Sequence, residues 1–148
     1  MINFIGDFPC KLDAKGRLSL PAAFKKQMQA VGQEDFVVKK DIFENCLVLY
    51  PINEWQEQVE LLNKKINPYN REHNKFVREF HRGKAELSID TAGRILIPKR
   101  LLEIIGDSSD LVLAGLETKI EIWSKDVFDK METDENDFAS LAEKILGQ

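Results

Sequence analysis

Cysteine and histidine occur only twice each in this 148-residue chain. Cys10 and Cys46 do not form a metal-ligand spacing and lie in segments that read as strands, so plain buried thiols are expected. His73 and His81 share one helical segment but are neither three nor four residues apart, which argues against an imidazole pair on zinc. No apolar run approaches the roughly 18 residues that span a bilayer, and the first residues lack a basic-then-apolar secretory pattern. A cytosolic protein without a membrane anchor is expected. Gly-rich phosphate loops, nucleophile elbows and Cys/His catalytic arrangements are also missing. The chain therefore reads as a non-enzyme with no metal, cofactor or small-molecule substrate.

What is present is a repetition. Leu12-Asp13-Ala14-Lys15-Gly16-Arg17-Leu18-Ser19-Leu20-Pro21 recurs as Ile89-Asp90-Thr91-Ala92-Gly93-Arg94-Ile95-Leu96-Ile97-Pro98. The match extends outward: Gly6 answers Gly83, Phe24 answers Leu101, Asp35-Phe36-Val37-Val38 answers Asp110-Leu111-Val112-Leu113, and Leu47-Val48-Leu49-Tyr50 answers Ile120-Glu121-Ile122-Trp123. Small changes of offset fall between strands, where insertions are tolerated. Two copies of one supersecondary unit are too small to bury a sheet face separately, so they are expected to pack together. At 43% apolar residues the chain can bury one shared core.

Within copy one, residues 3–12 and 17–20 read as short strands around a Gly turn, followed by a helix over 21–29 with Phe24 and Met28 facing inward. Pro21 suits its first turn, and Gly32 closes it. Strands follow near 35–39 and 46–50, and Asn53 is expected to cap a helix starting at Glu54. Apolar residues at 55, 59, 62 and 66 continue that helix until Asn67-Pro68 breaks it, and a second helix over 69–81 presents Phe76, Val77 and Phe80. Copy two repeats the plan over about 83–124, with a helix over 98–105. Ser124 is expected to cap a short helix that puts Val127 and Phe128 in the place of Trp55. From Asp134 onward, Phe138, Leu141, Ile145 and Leu146 make an amphipathic helix that needs a surface to lie on. Trp55, Phe76 and Phe80 are read as core or subunit interface rather than stacking platforms for single strands.

The net charge of −4 is unevenly distributed. Residues 1–40 hold seven Lys/Arg against four Asp/Glu and 64–100 hold ten against four, whereas 41–63 hold none against five and 101–148 hold four against twelve. The basic excess falls in the stretches that contain the Asp-x-x-Gly-Arg loops. Two readings stay open: a basic face on an acidic protein, or solvated faces that simply differ.

In each loop, Gly16 or Gly93 is expected at positive φ, and Asp13 or Asp90 accepts the turn's N–H groups. Arg17 and Arg94 follow, where each could pair with its aspartate as a structural strut. The alternative is contact with nucleic acid, since arginine's planar fork bridges two acceptors on a guanine edge and Lys15 offers a point charge to phosphate. Copy two has Ala92 where copy one has Lys15, which points to copy one as the stronger reader. Lys99 and Arg100, standing where copy one has Ala22-Ala23, either contact a nucleic-acid backbone or are merely solvated.

The doubled motif, each followed by an apolar-x-apolar-Pro string and a helix, resembles the MraZ family of AbrB-like, swapped-hairpin transcription factors over nearly the whole chain. The resemblance implies an α+β, mainly β fold in which duplicated AbrB-like swapped-hairpin units form a pseudo-two-fold β-barrel with peripheral helices. It divides the chain into a DNA-binding repeat at 7–54, a helical insert at 55–82, a second DNA-binding repeat at 83–126 and a helical tail at 127–148. It further implies a homo-oligomeric ring, associated with the nucleoid, that binds direct repeats in double-stranded promoter DNA. Such a ring represses its own operon and the division and cell-wall gene cluster. Carried onto this chain, it assigns DNA contact to Lys15, Arg17 and Arg94, with Asp13, Gly16, Asp90 and Gly93 organising the loops. The rival classes are an oligomeric interaction module that binds no nucleic acid and a small hydrolase using Asp13 and Asp90.

Overall fold

In the computed structural model, which describes residues 1–131 and 134–147, each copy leaves its β-ladder unfinished and the other copy completes it. Copy one supplies β1 (Asp7–Lys11), β2 (Arg17–Ser19), β3 (Asp35–Lys40) and β4 (Leu47–Pro51). Copy two supplies β5 (Ala85–Ser88), β6 (Arg94–Leu96), β7 (Asp110–Leu116) and β8 (Lys119–Ser124). Six strands form one antiparallel sheet in the order β1-β7-β8-β4-β3-β5, and β2 pairs with β6 as a separate ribbon. Replacing every strand by its counterpart returns the same order read backwards, so the topology has an internal two-fold axis. The registers locate it: Leu18 lies opposite its own counterpart Ile95, and Val48 opposite Glu121.

This pairing carries the implied exchange of strands between the copies and corrects the expected barrel. The strands on either side of each Gly turn do not ladder with each other, because β1 pairs with β7, β5 with β3, and β2 with β6. Nor is there a closed barrel among the described residues: β1 and β5 are the free edges of an open sheet, with the ribbon standing apart. The reason lies in burial. A three-residue strand gains little from a ladder alone, whereas joining β2 to β6 places Leu18 and Ile95, each 1% exposed, together in the core.

That core is built twice from equivalent positions. Phe36, Val38, Leu47 and Leu49 of copy one and Leu111, Leu113, Ile120 and Ile122 of copy two are all fully buried on the inner sheet face. Helix α1 (Ala22–Ala30) adds Phe24 and Met28 at i, i+4. Their counterparts, Leu101 and Ile105, come from α4 (Lys99–Leu102) and the 3-10 turn that continues it over Glu103–Ile105. Phe24 meets Phe4 and Phe8 edge-on, with ring centroids 5.2 and 5.1 Å away.

The helix starts differ in detail from the sequence expectations. Pro21 and Pro98 precede α1 and α4 as caps with ψ of 140° and 136°, rather than occupying the first turn. Pro51 caps α2 (Ile52–Asn63) in the same way, so that helix begins before Asn53, whose side chain only accepts the Glu54 N–H. Proline's fixed φ already sets the entry. Ser124, the counterpart of Pro51, precedes α5 (Lys125–Lys130) with the same backbone geometry and no side-chain capping bond.

Helices α2 and α3 (Arg71–His81) cover the outer face of the sheet at copy one, where Trp55 stacks on Phe80 at 5.5 Å. Asn70 caps α3 by accepting the His73 N–H, and His73 Nδ1 accepts the Asn67 N–H. His81 packs edge-on against Trp55 and Phe80, so the histidines have separate structural places. Cys46 is fully buried just before β4, and Cys10 is half-buried. Helix α6 (Glu135–Leu146), capped by Asp134, leaves Phe138, Leu141, Ile145 and Leu146 exposed. Among the described residues, no helix is long and apolar enough to cross a membrane.

Candidate nucleic-acid interface

The two Asp-x-x-Gly-Arg loops close in the same way, bond for bond. Asp13 Oδ1 accepts the Lys15 and Arg17 N–H groups at 2.9 Å each, and Asp90 Oδ1 accepts those of Ala92 and Arg94 at 2.9 and 2.8 Å. The backbone of Asp13 donates to the Arg17 carbonyl and that of Asp90 to the Arg94 carbonyl, both at 2.8 Å. Gly16 and Gly93 have φ of +85° and +76°, the left-handed turn conformation that a Cβ opposes. An aspartate that satisfies two turn N–H groups and a glycine that permits the turn explain why these residue types recur at this spacing.

The remaining carboxylate oxygen holds the arginine. Asp13 Oδ2 lies 2.9 Å from Arg17 Nε, and Asp90 Oδ2 lies 3.1 Å from Arg94 Nε. Hydrogen bonds from the arginine's own backbone are the largest influence holding both carboxyls below the usual carboxylate range, reinforced by the guanidinium beside each. Binding through Nε leaves Nη1 and Nη2 without a hydrogen-bond partner among the described residues, on side chains about one-third exposed. The expected Asp–Arg strut is therefore present, and it engages Nε while leaving both Nη atoms of each guanidinium without a partner among the described residues.

The antiparallel ribbon sets the two loops at its opposite ends, with Arg17 opposite Leu96 and Arg94 opposite Ser19, related by the molecule's axis. The Leu20 N–H donates to the Gly93 carbonyl and the Ile97 N–H to the Gly16 carbonyl, at 3.1 and 2.9 Å, so each loop is fastened to the other copy's strand. Lys15 is exposed on loop one. Arg100 is not simply solvated: its Nη1 donates to the Gly83 carbonyl at 2.5 Å, tying α4 to the entry of β5, while Lys99 stays exposed.

One cation that sequence reasoning did not single out enters the site. The side chain of Lys25, from α1 of copy one, lies over Gly93 of copy two, so that a Cβ built there would be 2.8 Å from Lys25 Nζ. A groove of about 690 Å³ runs between α1 and loop two, lined by Lys25, Lys26, Glu34, Asp90 and Ala92 among others. The signal existed only as the repeat alignment, which places Lys25 opposite Leu102, the residue that touches Gly16 in the other loop.

Away from the loops, Asp41, Cys46 and Glu121 bring potential metal-ligating atoms within 4.8 Å of one another. Each is already committed. Asp41 Oδ2 accepts the Phe43 and Glu44 N–H groups, Glu121 Oε1 accepts from Trp123 Nε1, and burial pushes the Cys46 thiol up to about 12.

Fold and loops together define a pseudo-symmetric, strand-swapped protein with a rigid pair of arginine-tipped turns and no assembled catalytic centre among the described residues. The family model described as "MraZ protein, putative antitoxin-like" matches twice, over residues 4–78 and 80–147. Relatives named "Transcriptional regulator MraZ" match end to end. The protein of Christiangramia forsetii is 43% identical over 99% of this chain and 95% of its own length. That of Phocaeicola vulgatus is 42% identical with the same coverage, and that of Clostridium tetani 36% identical over 96% of each chain. The chain belongs to the MraZ family, which is non-enzymatic.

Proposed function

We propose that this protein is a transcriptional regulator that reads double-stranded promoter DNA through its twin loops, using Arg17 and Arg94 on base edges and Lys15 on phosphate. The observation that carries the reading is the pinned guanidinium. An arginine fixed through Nε has already lost much of its rotamer freedom, so the entropy cost of presenting Nη1 and Nη2 to a guanine is met in the fold. Relatives named as transcriptional regulators support the same role. In this reading the protein acts in the cytoplasm, on the nucleoid, and represses its own operon and the division and cell-wall gene cluster. It engages direct repeats as a homo-oligomeric ring. Exposed apolar side chains on α6 and at Ile5 and Leu116 support contact with further copies. The repeat, insert and tail boundaries at 54, 82 and 126 belong to the same reading.

The Asp–Arg bonds also favour one rival, a module in which both arginines serve assembly alone. Retention of a fragment upstream of the gene, titrated at two salt concentrations, separates the two. The regulator retains this fragment more tightly than a scrambled one and weakens steeply with salt. Absent retention of both fragments establishes the module, and equal retention of both overturns base reading by the loops.

A further inference from the structure

We infer that Lys25 supplies loop two with the DNA-facing cation that Ala92 removes from it, so that both loops carry one lysine and one arginine by different routes. The inference rests on the DNA-binding reading above and concerns which residues perform it.

The argument begins with the axis. Position 25 is equivalent to 102, and the helix of each copy reaches across to the loop of the other. At loop one, a Cβ on Gly16 would meet Leu102 Cδ1 at 3.5 Å, an apolar lid beside a loop that has its own Lys15. At loop two the same place holds Lys25, with Nζ and Cδ at 2.8 and 2.9 Å from the corresponding point on Gly93, beside a loop whose own lysine is replaced by alanine. The two substitutions are complementary. Lysine and a small or apolar neighbour are exchanged between positions 15 and 102 on one side and 92 and 25 on the other.

Charge and exposure agree with a working cation. Lys25 is half-buried, and its ammonium has no carboxylate partner or hydrogen bond among the described residues. By contrast, Lys11, Lys125 and Arg82 are paired with Asp110, Asp129 and Glu79. A lysine whose aliphatic stem packs on the turn while its ammonium stays unpaired keeps its charge available to an arriving anion. Glu34 and Asp90 also line the groove, but Asp90 is occupied by Arg94 and the turn N–H groups. A phosphate of the duplex read by Arg94 is the anion this geometry fits.

The test is a salt-series anisotropy titration of the full chain on its own upstream promoter, comparing wild type with Lys15→Met, Lys25→Met, Lys25→Arg and the double variant Lys25→Met/Ala92→Lys. Methionine keeps the stem over Gly93 and removes only the charge. For each loop engaged, Lys25→Met is expected to reduce the salt slope by about 1 and weaken binding roughly fivefold near 0.15 M salt, as Lys15→Met does. Lys25→Arg keeps the wild-type slope, and adding Ala92→Lys restores it. Thermal unfolding midpoints and oligomer size stay level across the set. A wild-type slope in Lys25→Met, with promoter binding otherwise intact, overturns the role of Lys25 and leaves the DNA-binding reading standing. Failure of the wild type itself to retain the promoter overturns both.

Discussion

At Asp13 one carboxylate closes a turn and aims a cation, and the same is true of Asp90. The two duties predict different failures. Removing the Arg17 side chain leaves the turn bonds to Asp13 Oδ1 in place, because those come from backbone N–H groups. Arg17→Ala is therefore expected to fold normally while losing about 1–3 kcal/mol of discrimination between operator and scrambled DNA. Lys15→Ala is expected to weaken all sequences alike. Unchanged operator affinity for Arg17→Ala, with a normal oligomer by light scattering, sinks the assignment of base reading to this loop. Protonating the aspartates attacks both duties. Their folded pKa values are lowered, so the stabilisation they provide is complete above the ordinary carboxylate range and disappears only as pH falls through the lowered folded values. The backbone amide shifts of Lys15, Arg17, Ala92 and Arg94, followed by NMR, should move together with midpoints below that range. A midpoint at or above the ordinary value would show that these bonds do not persist in solution. The glycines behave unequally. A Cβ at Gly16 adds a 3.2 Å contact with the Ile97 carbonyl to the penalty of positive φ, whereas the nearest atoms to one at Gly93 belong to the flexible side chain of Lys25. Gly16→Val is expected to cost more than about 1 kcal/mol and to exceed Gly93→Val in urea unfolding. The reverse order would overturn the lid assignment.

At the scale of elements, the insert helices create one feature that copy two lacks. Lys39 on β3 is 6% exposed, with Nζ 3.7 Å from the centre of the Phe80 ring and 5.8 Å from that of Trp55. Its counterpart, Ala114 on β7, lies where no insert supplies a covering aromatic. Burial lowers the Lys39 ammonium from 10.5 to about 8, against the cation–π attraction of Phe80. Because the folded value lies below the unfolded one, the penalty on the charged form is complete below pH 8. It is relieved as pH rises from there to 10.5. Relative to Lys39→Met, the wild type should gain stability across that window. Parallel stability profiles for the two proteins would show that the ammonium is not buried. None of this was legible in the sequence, where Lys39 looks like a charged strand end. Legibility followed locality. Phe24 and Met28, the turn glycines and the doubled core positions were readable, because helical spacing, turn chemistry and repetition are written within a few residues. The pairing of Leu18 with Ile95 was not, since a short strand's own pattern is equally satisfied by a hairpin partner. Lys25 was missed for the same reason: it becomes a neighbour of Gly93 only after the copies exchange strands. Asn53 was misread as a cap because Pro51 already starts α2, whereas Ser124 does hold the cap position of α5 and starts it by backbone geometry without a side-chain bond.

At the scale of the whole molecule, the question is how a protein of net charge −4 holds a polyanion. A protomer presents about four loop cations, Lys15, Arg17, Lys25 and Arg94, and so few phosphate or base contacts leave binding weak at physiological salt. The strand swap makes this small set rigid, since the ribbon fixes one loop against the other through the bonds from Leu20 and Ile97. Rigidity matters most when protomers are joined. In the proposed ring, several fixed loop pairs would turn later contacts into intramolecular ones, and avidity would then rise by roughly 10²–10⁴ where operator repeats match the protomer spacing. Selectivity would then reside in geometry as much as in base contacts. A duplex with one repeat should bind poorly, and two or more repeats in phase should bind well. Shifting one repeat by about half a helical turn should abolish the gain, because the site rotates to the far side of the duplex. Titrating single, phased and half-turn-shifted duplexes at fixed salt measures this directly. Equal affinity for all three would mean that each protomer binds independently, and joining the protomers would contribute nothing to recognition.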